Sequence, residues 1–200
     1  RQGHWELRWF TPQVEVDLCG HATLASSRVL AELHPDISSL RFQTRSGELL
    51  VTREDEYYTL NFPATAVQRT DDAAALSELL QCAVLNTCKG GKKLLAELDN
   101  EAAVRTFPPD FGTILQLDGN GLIITAVGEQ CDFVSRFFAP AVGINEDPVT
   151  GAAHCLLTPY WAARLQRNRL QAQQLSARGG HLLCELRGDR VCMTGQAVIF

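Results

Sequence analysis

The sequence predicts an α+β fold made of two pseudo-symmetric halves, and three observations predict it. Arg8-Trp9-Phe10-Thr11-Pro12-Gln13-Val14-Glu15-Val16 aligns without a gap on Arg136-Phe137-Phe138-Ala139-Pro140-Ala141-Val142-Gly143-Ile144, so R-aromatic-F-x-P-x-V-x-aliphatic occurs twice. Each copy runs into a helix start, at residues 19–25 in the first and 149–153 in the second. Between the copies, residues 40–62 alternate apolar and polar side chains around short turns, the pattern of an antiparallel meander. The alternative to duplication is two unrelated strand–helix junctions that share a few common residues. The halves fall at 1–64 and 65–200, with a last strand near 195–200 that is a candidate to return to the first half.

Taken in order, residues 6–10 read as a strand stopped by Thr11-Pro12, and residues 14–16 resume extended structure. Ala22, Ala25, Val29, Leu30 and Leu33 recur at three- and four-residue spacing, which predicts a helix over 21–33 ended by His34-Pro35. Leu40, Phe42 and Thr44 share one face of the next strand, Ser46-Gly47 turns it into 48–53, and Tyr58, Leu60 and Phe62 alternate until Pro63. The polar residues 65–72 link the halves, and 73–80 form a short helix. Residues 92–98 read as a strand, and 100–106 as a short helix ended by Pro108-Pro109. Asp118-Gly119-Asn120-Gly121 is a hairpin signal between strands at 114–117 and 122–127. Residues 133–138 lead into the second copy. Pro159 predicts a kink or break near Thr158 in the helix that follows. Gly188-Asp189 joins strands 181–187 and 190–194, with Cys184 opposite Met193 and Cys192 opposite Glu185. Residues 195–200 read as the final strand.

Composition excludes several classes. A net charge of -5 with no block of Lys or Arg leaves no basic face for nucleic acid. No apolar run approaches a membrane span and no signal-peptide pattern opens the sequence, which places the protein in the cytoplasm, away from membranes. The 7 cysteines are irregularly spaced without a C-x-x-C pair, which disfavours a disulfide scaffold and a structural zinc site. The sequence opens on Arg1 rather than Met, as a piece of a longer protein would.

The second copy reads E-D-P-V-T-G-A-A-H over residues 146–154. A helix opening at Thr150-Gly151-Ala152 offers unpaired amides at the positive end of its dipole, with Asp147 just outside, and the first copy offers the same at Gly20 with His21. Two such starts suggest a ligand held between the halves. Moving a proton at carbon needs an acid or base and a means of holding negative charge. Asp147 and His21 are candidates for the first, the helix starts for the second, and Gly20 and Gly151 would let a ligand approach the backbone. The competing readings are a helix-capping role for Asp147 and a backbone-satisfied first-turn histidine for His21. Cys19 could be an activated thiol, but the second copy has Asp147 at the matching place, so a two-thiol mechanism is not available. Arg178 and Gly179 form a cationic turn that could clamp a carboxylate, or simply connect two strands. Glu146 reads as a solvated neighbour, His154 as a packing residue, and Arg8 and Arg136 as structural.

The stretches W-F-T-P-Q-V-E-V-D-L-C-G-H-A-T-L-A and F-F-A-P-A-V-G-I-N-E-D-P-V-T-G-A-A-H closely resemble the paired signatures of the PhzF (phenazine biosynthesis-like) family, and Q-x-x-S-x-R-G-G at 173–180 is similar too. The resemblance covers nearly the whole chain. It implies a diaminopimelate epimerase-like fold in which each half wraps antiparallel strands around a central helix. It also implies a cleft between the helix starts, a homodimer, no metal or cofactor, and an isomerase moving a proton between carbons of a small carboxylate. Gly20 and His21 match the family's glycine and histidine, and Asp147 and Gly151 its second-half site residues. The candidate catalytic residues are thus His21 and Asp147, and the candidate substrate-binding ones Gly20, Gly151, Ala152, Arg178 and Gly179. Ala152 stands where some members have serine. The family's general acid/base glutamate precedes W-F-T-P in a stretch like S-E-T-A-F, which these residues do not contain. Either the sequence continues upstream, or this chain binds a metabolite or a partner without turning it over.

Overall fold

Alternating side chains and short turns give the first half its strands. They are β1 (Gln2–Glu6), the two-stranded hairpin β2 (Trp9–Phe10) and β3 (Glu15–Val16), then, after helix α1 (Gly20–Leu33), the meander β4 (Ser39–Thr44), β5 (Gly47–Glu54) and β6 (Tyr57–Pro63). The second half follows with β7 (Gln68–Thr70), α2 (Ala73–Leu80), β8 (Val84–Gly90), β9 (Lys93–Leu98), α3 (Glu101–Thr106), α4 (Phe111–Ile114), β10 (Gly121–Val127) and β11 (Phe133–Ala139). A 3-10 turn at Pro140–Val142 leads to β12 (Ile144–Asp147), α5 (Gly151–Leu165), β13 (Arg169–Gln174), β14 (Gly180–Arg187) and β15 (Arg190–Gln196). This computed structural model describes residues 2–11 and 13–199; Pro12 of the first strand stop and Phe200 of the last predicted strand lie outside the described residues. The architecture is α+β, as the sequence predicts.

All strands but β2 and β3 join one sheet in the order β1-β4-β5-β6-β15-β14-β13-β11-β10-β9-β8-β7, with β12 on β11. The seam between the halves is the ladder from Arg190↔Pro63 to Gln196↔Tyr57. The strand that crosses to the first half is therefore β15 itself, which continues to Gln196; no separate strand follows it among the described residues. One core runs through both halves, with Phe42, Tyr58 and Phe62 from the meander against Leu156, Trp161, Phe133 and Met193. A second lies behind β9 and β10, where Leu94, Leu122 and Ile124 meet Leu76 of α2 and Val104 of α3. Strands covered on both faces read as continuous apolar runs, which is why GLIITAV and KLLAEL lack alternation.

Four expectations change. Residues 114–117 are not a strand: Asp110 caps α4 by accepting from the amides of Gly112 and Thr113, and β10 pairs parallel with β9 and antiparallel with β11. The Asp118–Gly121 turn instead folds over β9, with Asn120 N–H donating to Lys92 O at 2.6 Å and Gly119 at φ +120 against that carbonyl. Helix α5 runs through Pro159 without the break that is one of the two outcomes expected there. Proline lacks the N–H that would reach Cys155 O, and Thr65 N–H takes that acceptor from outside the helix at 2.9 Å. Finally, α1 buries Gly20, Thr23, Ser27 and Ala31, while Val29 and Leu33 are exposed. The hydroxyls are satisfied within the helix, Thr23 Oγ1 donating to Cys19 O (2.7 Å) and Ser27 Oγ to Thr23 O (2.8 Å), so a polar stripe can be buried without loss. The β14–β15 register pairs Cys184 with Met193 and Cys192 with Glu185, as read from the sequence. Among the described residues no helix is long and apolar enough to cross a membrane.

Candidate functional site

The two copies of the repeated motif meet at their glycines. A Cβ on Gly20 would lie 2.8 Å from Gly151 Cα, and one on Gly151 would lie 2.9 Å from Gly20 Cα. The glycines thus let two helix starts abut backbone to backbone, and the partner each one admits is the other helix. Neither start carries a side-chain cap or an acid in its first turn. The N-cap residues, Cys19 and Thr150, are extended (φ -137 and -113), so the amides that follow have no side chain closing them off. Asp147 does not cap α5.

His21, Asp147, Gly20, Gly151 and Ala152 line one cleft of about 680 Å³, together with Cys19, Thr150, Trp9, Phe137 and Lys93. The ring of His21 bridges the halves: Nδ1 lies 2.8 Å from Val149 O, and Cys19 Sγ sits 3.5 Å from Nε2. The Cys19 sulfur and then the Val149 carbonyl favour the charged ring over a smaller opposing cost of burial, and Asp147 adds its field, raising the pKa from 6.5 to about 9. His21 is an imidazolium at neutral pH, with Nδ1–H donating to Val149 O.

Asp147 is 9% exposed. One of its carboxylate oxygens accepts from the Thr150 hydroxyl. Gln174, fully buried at the end of β13, binds the same turn from below: its Nε2 donates to Asp147 O (2.7 Å) and Thr150 Oγ1 (3.2 Å), and its Oε1 accepts from Thr150 N–H (2.8 Å). Ser176 Oγ donates to Pro148 O and accepts from Gly179 N–H, and Gly180 leaves room for Val149, whose Cγ2 would lie 2.4 Å from an added Cβ. The Q-x-x-S-x-R-G-G stretch therefore acts as a cradle under the α5 entrance. Arg178 and Gly179 belong to that cradle's turn and do not line the cleft; Arg178 is exposed.

The remaining residues that the sequence brings forward find structural partners. Glu146 is the ion-pair partner of Arg136 (2.7 Å) rather than a solvated neighbour. His154 packs inside α5, its Nδ1–H donating to Thr150 O while burial pushes its pKa down to about 4. The helix starts place Cys19 opposite Thr150, not Asp147. Sequence reasoning does not single out Gln174 or Lys93. The signal for Gln174 is its place inside the quoted motif, and for Lys93 a cation opening an otherwise apolar strand.

A family model described as phenazine biosynthesis-like protein, PhzC-PhzF, matches residues 1–200. An uncharacterized isomerase of Pseudomonas aeruginosa is 51% identical over 100% of this chain and 77% of its own length. An uncharacterized isomerase of Halalkalibacterium halodurans is 43% identical over 98% of this chain and 76% of its own. The crystal structure of a PhzF-family protein from Enterococcus faecalis superposes with a TM-score of 0.88 at 43% identity, over 96% of this chain and 74% of that one.

Proposed function

Because the chain belongs to the PhzC-PhzF phenazine biosynthesis-like family, we propose that it is an isomerase that moves a proton between carbons of a small carboxylate substrate in the cleft between the two helix starts. One observation carries this reading: two uncapped helix N-termini open, beside His21 and Asp147, onto the same cleft. Removing a proton next to a carboxylate leaves an enolate-like charge. Two converging dipoles and an imidazolium are suited to hold that charge, because they are fixed before the reaction starts.

In this reading His21 is a charged donor rather than a base, since its ring already holds both protons at neutral pH. Asp147 exchanges the proton, held in place by Thr150 and the Gln174 cradle, and Gly20, Gly151 and Ala152 supply backbone to the substrate. The glutamate that the resemblance assigns as general acid/base has no counterpart in these 200 residues. The second reading is a metabolite-binding member without turnover, which the same cleft would serve. A homodimer belongs to the same proposal and is read by sedimentation equilibrium.

The test is deuterium incorporation, followed by ¹H NMR in D₂O, into a panel of small carboxylic acids with an acidic C–H, using the full-length protein and its Asp147→Asn variant. We expect wash-in with the parent and its loss in the variant. Equal exchange in both removes Asp147 from the chemistry, and binding without exchange in the parent leaves the second reading.

A further inference from the structure

We propose that Lys93 forms a second anion-binding subsite in the same cleft, so that the substrate carries a second acidic group besides the carboxylate at the helix starts. The inference rests on the cleft being the reaction site as proposed above, and it names the substrate class.

Lys93 opens β9 and lines the cleft with Lys92, Asn120, His21 and Asp147. Its backbone position is fixed on both sides. Lys93 pairs with Gly90 on β8 and Gly121 on β10, and the Asn120 amide clamps the preceding carbonyl. The side chain is half-buried, and among the described residues its ammonium makes no hydrogen bond or ion pair. Other cations of this region are answered: Arg8 by Glu15, Arg136 by Glu146, Lys89 by Asp118. Burial holds the Lys93 ammonium below the ordinary lysine range, outweighing the opposing influence of the Cys155 sulfur and then of exposed Asp17. A cation partly stripped of water and left without a counter-ion, inside a cleft, is a site awaiting an anion.

Size agrees. A cleft of about 680 Å³ lies near the middle of the range for drug-sized ligands, about 300–1,000 Å³, more than a small mono-acid fills. Lys93, with exposed Lys92 next to it, lines the same cleft as His21, Asp147 and the two helix starts, so one ligand can meet both sets of groups.

The experiment is calorimetric titration of the full-length protein with three probes: benzoate, isophthalate and 3-phosphonobenzoate. The parent is expected to bind isophthalate at least about tenfold more tightly than benzoate, as a close charge pair in a desolvated site supports. Lys93→Gln should erase that preference and leave benzoate affinity unchanged, while Lys93→Arg keeps most of it and controls for folding. Preference for 3-phosphonobenzoate over isophthalate assigns the second group as phosphoryl; the reverse assigns a carboxylate. Benzoate binding with no gain for either dianion, or an equal gain in Lys93→Gln, overturns the Lys93 inference while leaving the proposed function standing. Failure of the parent to bind any of the three overturns both.

Discussion

The two copies of the repeated motif share a scaffold and differ in chemistry. In each, the arginine ion-pairs with a glutamate across the following hairpin, Arg8 with Glu15 and Arg136 with Glu146, and lies over the phenylalanine two residues on, 5.1 Å from the Phe10 ring and 4.9 Å from Phe138. Each then ends in a helix glycine packed on its twin. The spacing from arginine to glycine is 12 residues in the first copy and 15 in the second. The extra length in the second is taken up by β12, which ends on Asp147, whereas the first copy places His21 just inside the helix. What the copies have in common holds the cleft together, and the proposed catalytic residues stand where they diverge.

The strongest way to break this comparison is at the shared glycines. Gly20→Ala and Gly151→Ala should each cost about 3 kcal/mol, because the added methyl meets backbone that cannot swing aside. Urea denaturation of the two variants should give near-equal losses; a loss at only one would mean the abutment is not mutual. The arginines should separate the copies. Arg136 is 11% exposed and also donates to Phe107 O at 2.8 Å, whereas Arg8 is 60% exposed. Arg136→Met should cost about 2–3 kcal/mol and strand Glu146, while Arg8→Met should cost under about 1 kcal/mol, by thermal or urea unfolding.

The smallest effect concerns His21. Its folded pKa is raised, so its ties to Cys19 and then to Val149 contribute fully below the unfolded value of 6.5 and are lost as pH climbs through about 9. The parent should lose stability relative to His21→Gln between pH 6.5 and 9, and an NMR titration of the ring should show the raised midpoint. A midpoint near the ordinary value would mean that the Cys19 sulfur and the Val149 carbonyl do not hold the charged ring.

Much of this is legible in the sequence because its signals are local. The duplication shows as aligned residues, α2 as a run of helix formers after Asp71-Asp72, and the β4–β6 meander as alternation broken by turns. Parallel pairings are not legible. β1 lies on β4 and β9 on β10, and nothing in a strand's own residues names a partner reached by a crossover. The hairpin expected at Asp118–Gly121 fails for that reason, since a valid turn signal is used to fold a loop onto β9. The buried stripe of α1 escapes a reading by residue type because Thr23 and Ser27 look polar until their hydroxyls are seen to bond within the helix. At the site, His21 and Asp147 stand out beside the helix starts. Gln174 and Lys93 sit on strands distant in sequence, and only the fold shows what lies next to them.

The ladder between β15 and β6 has a consequence for how the molecule comes apart. The cleft lies over a continuous hydrogen-bonded sheet rather than over a linker, and the core beneath it draws on both halves. Neither half can melt without stripping a strand and part of a core from the other, so heat should remove both in one cooperative step. The two copies also touch away from the sheet, where Gln13 of the first rests against Gly143 of the second.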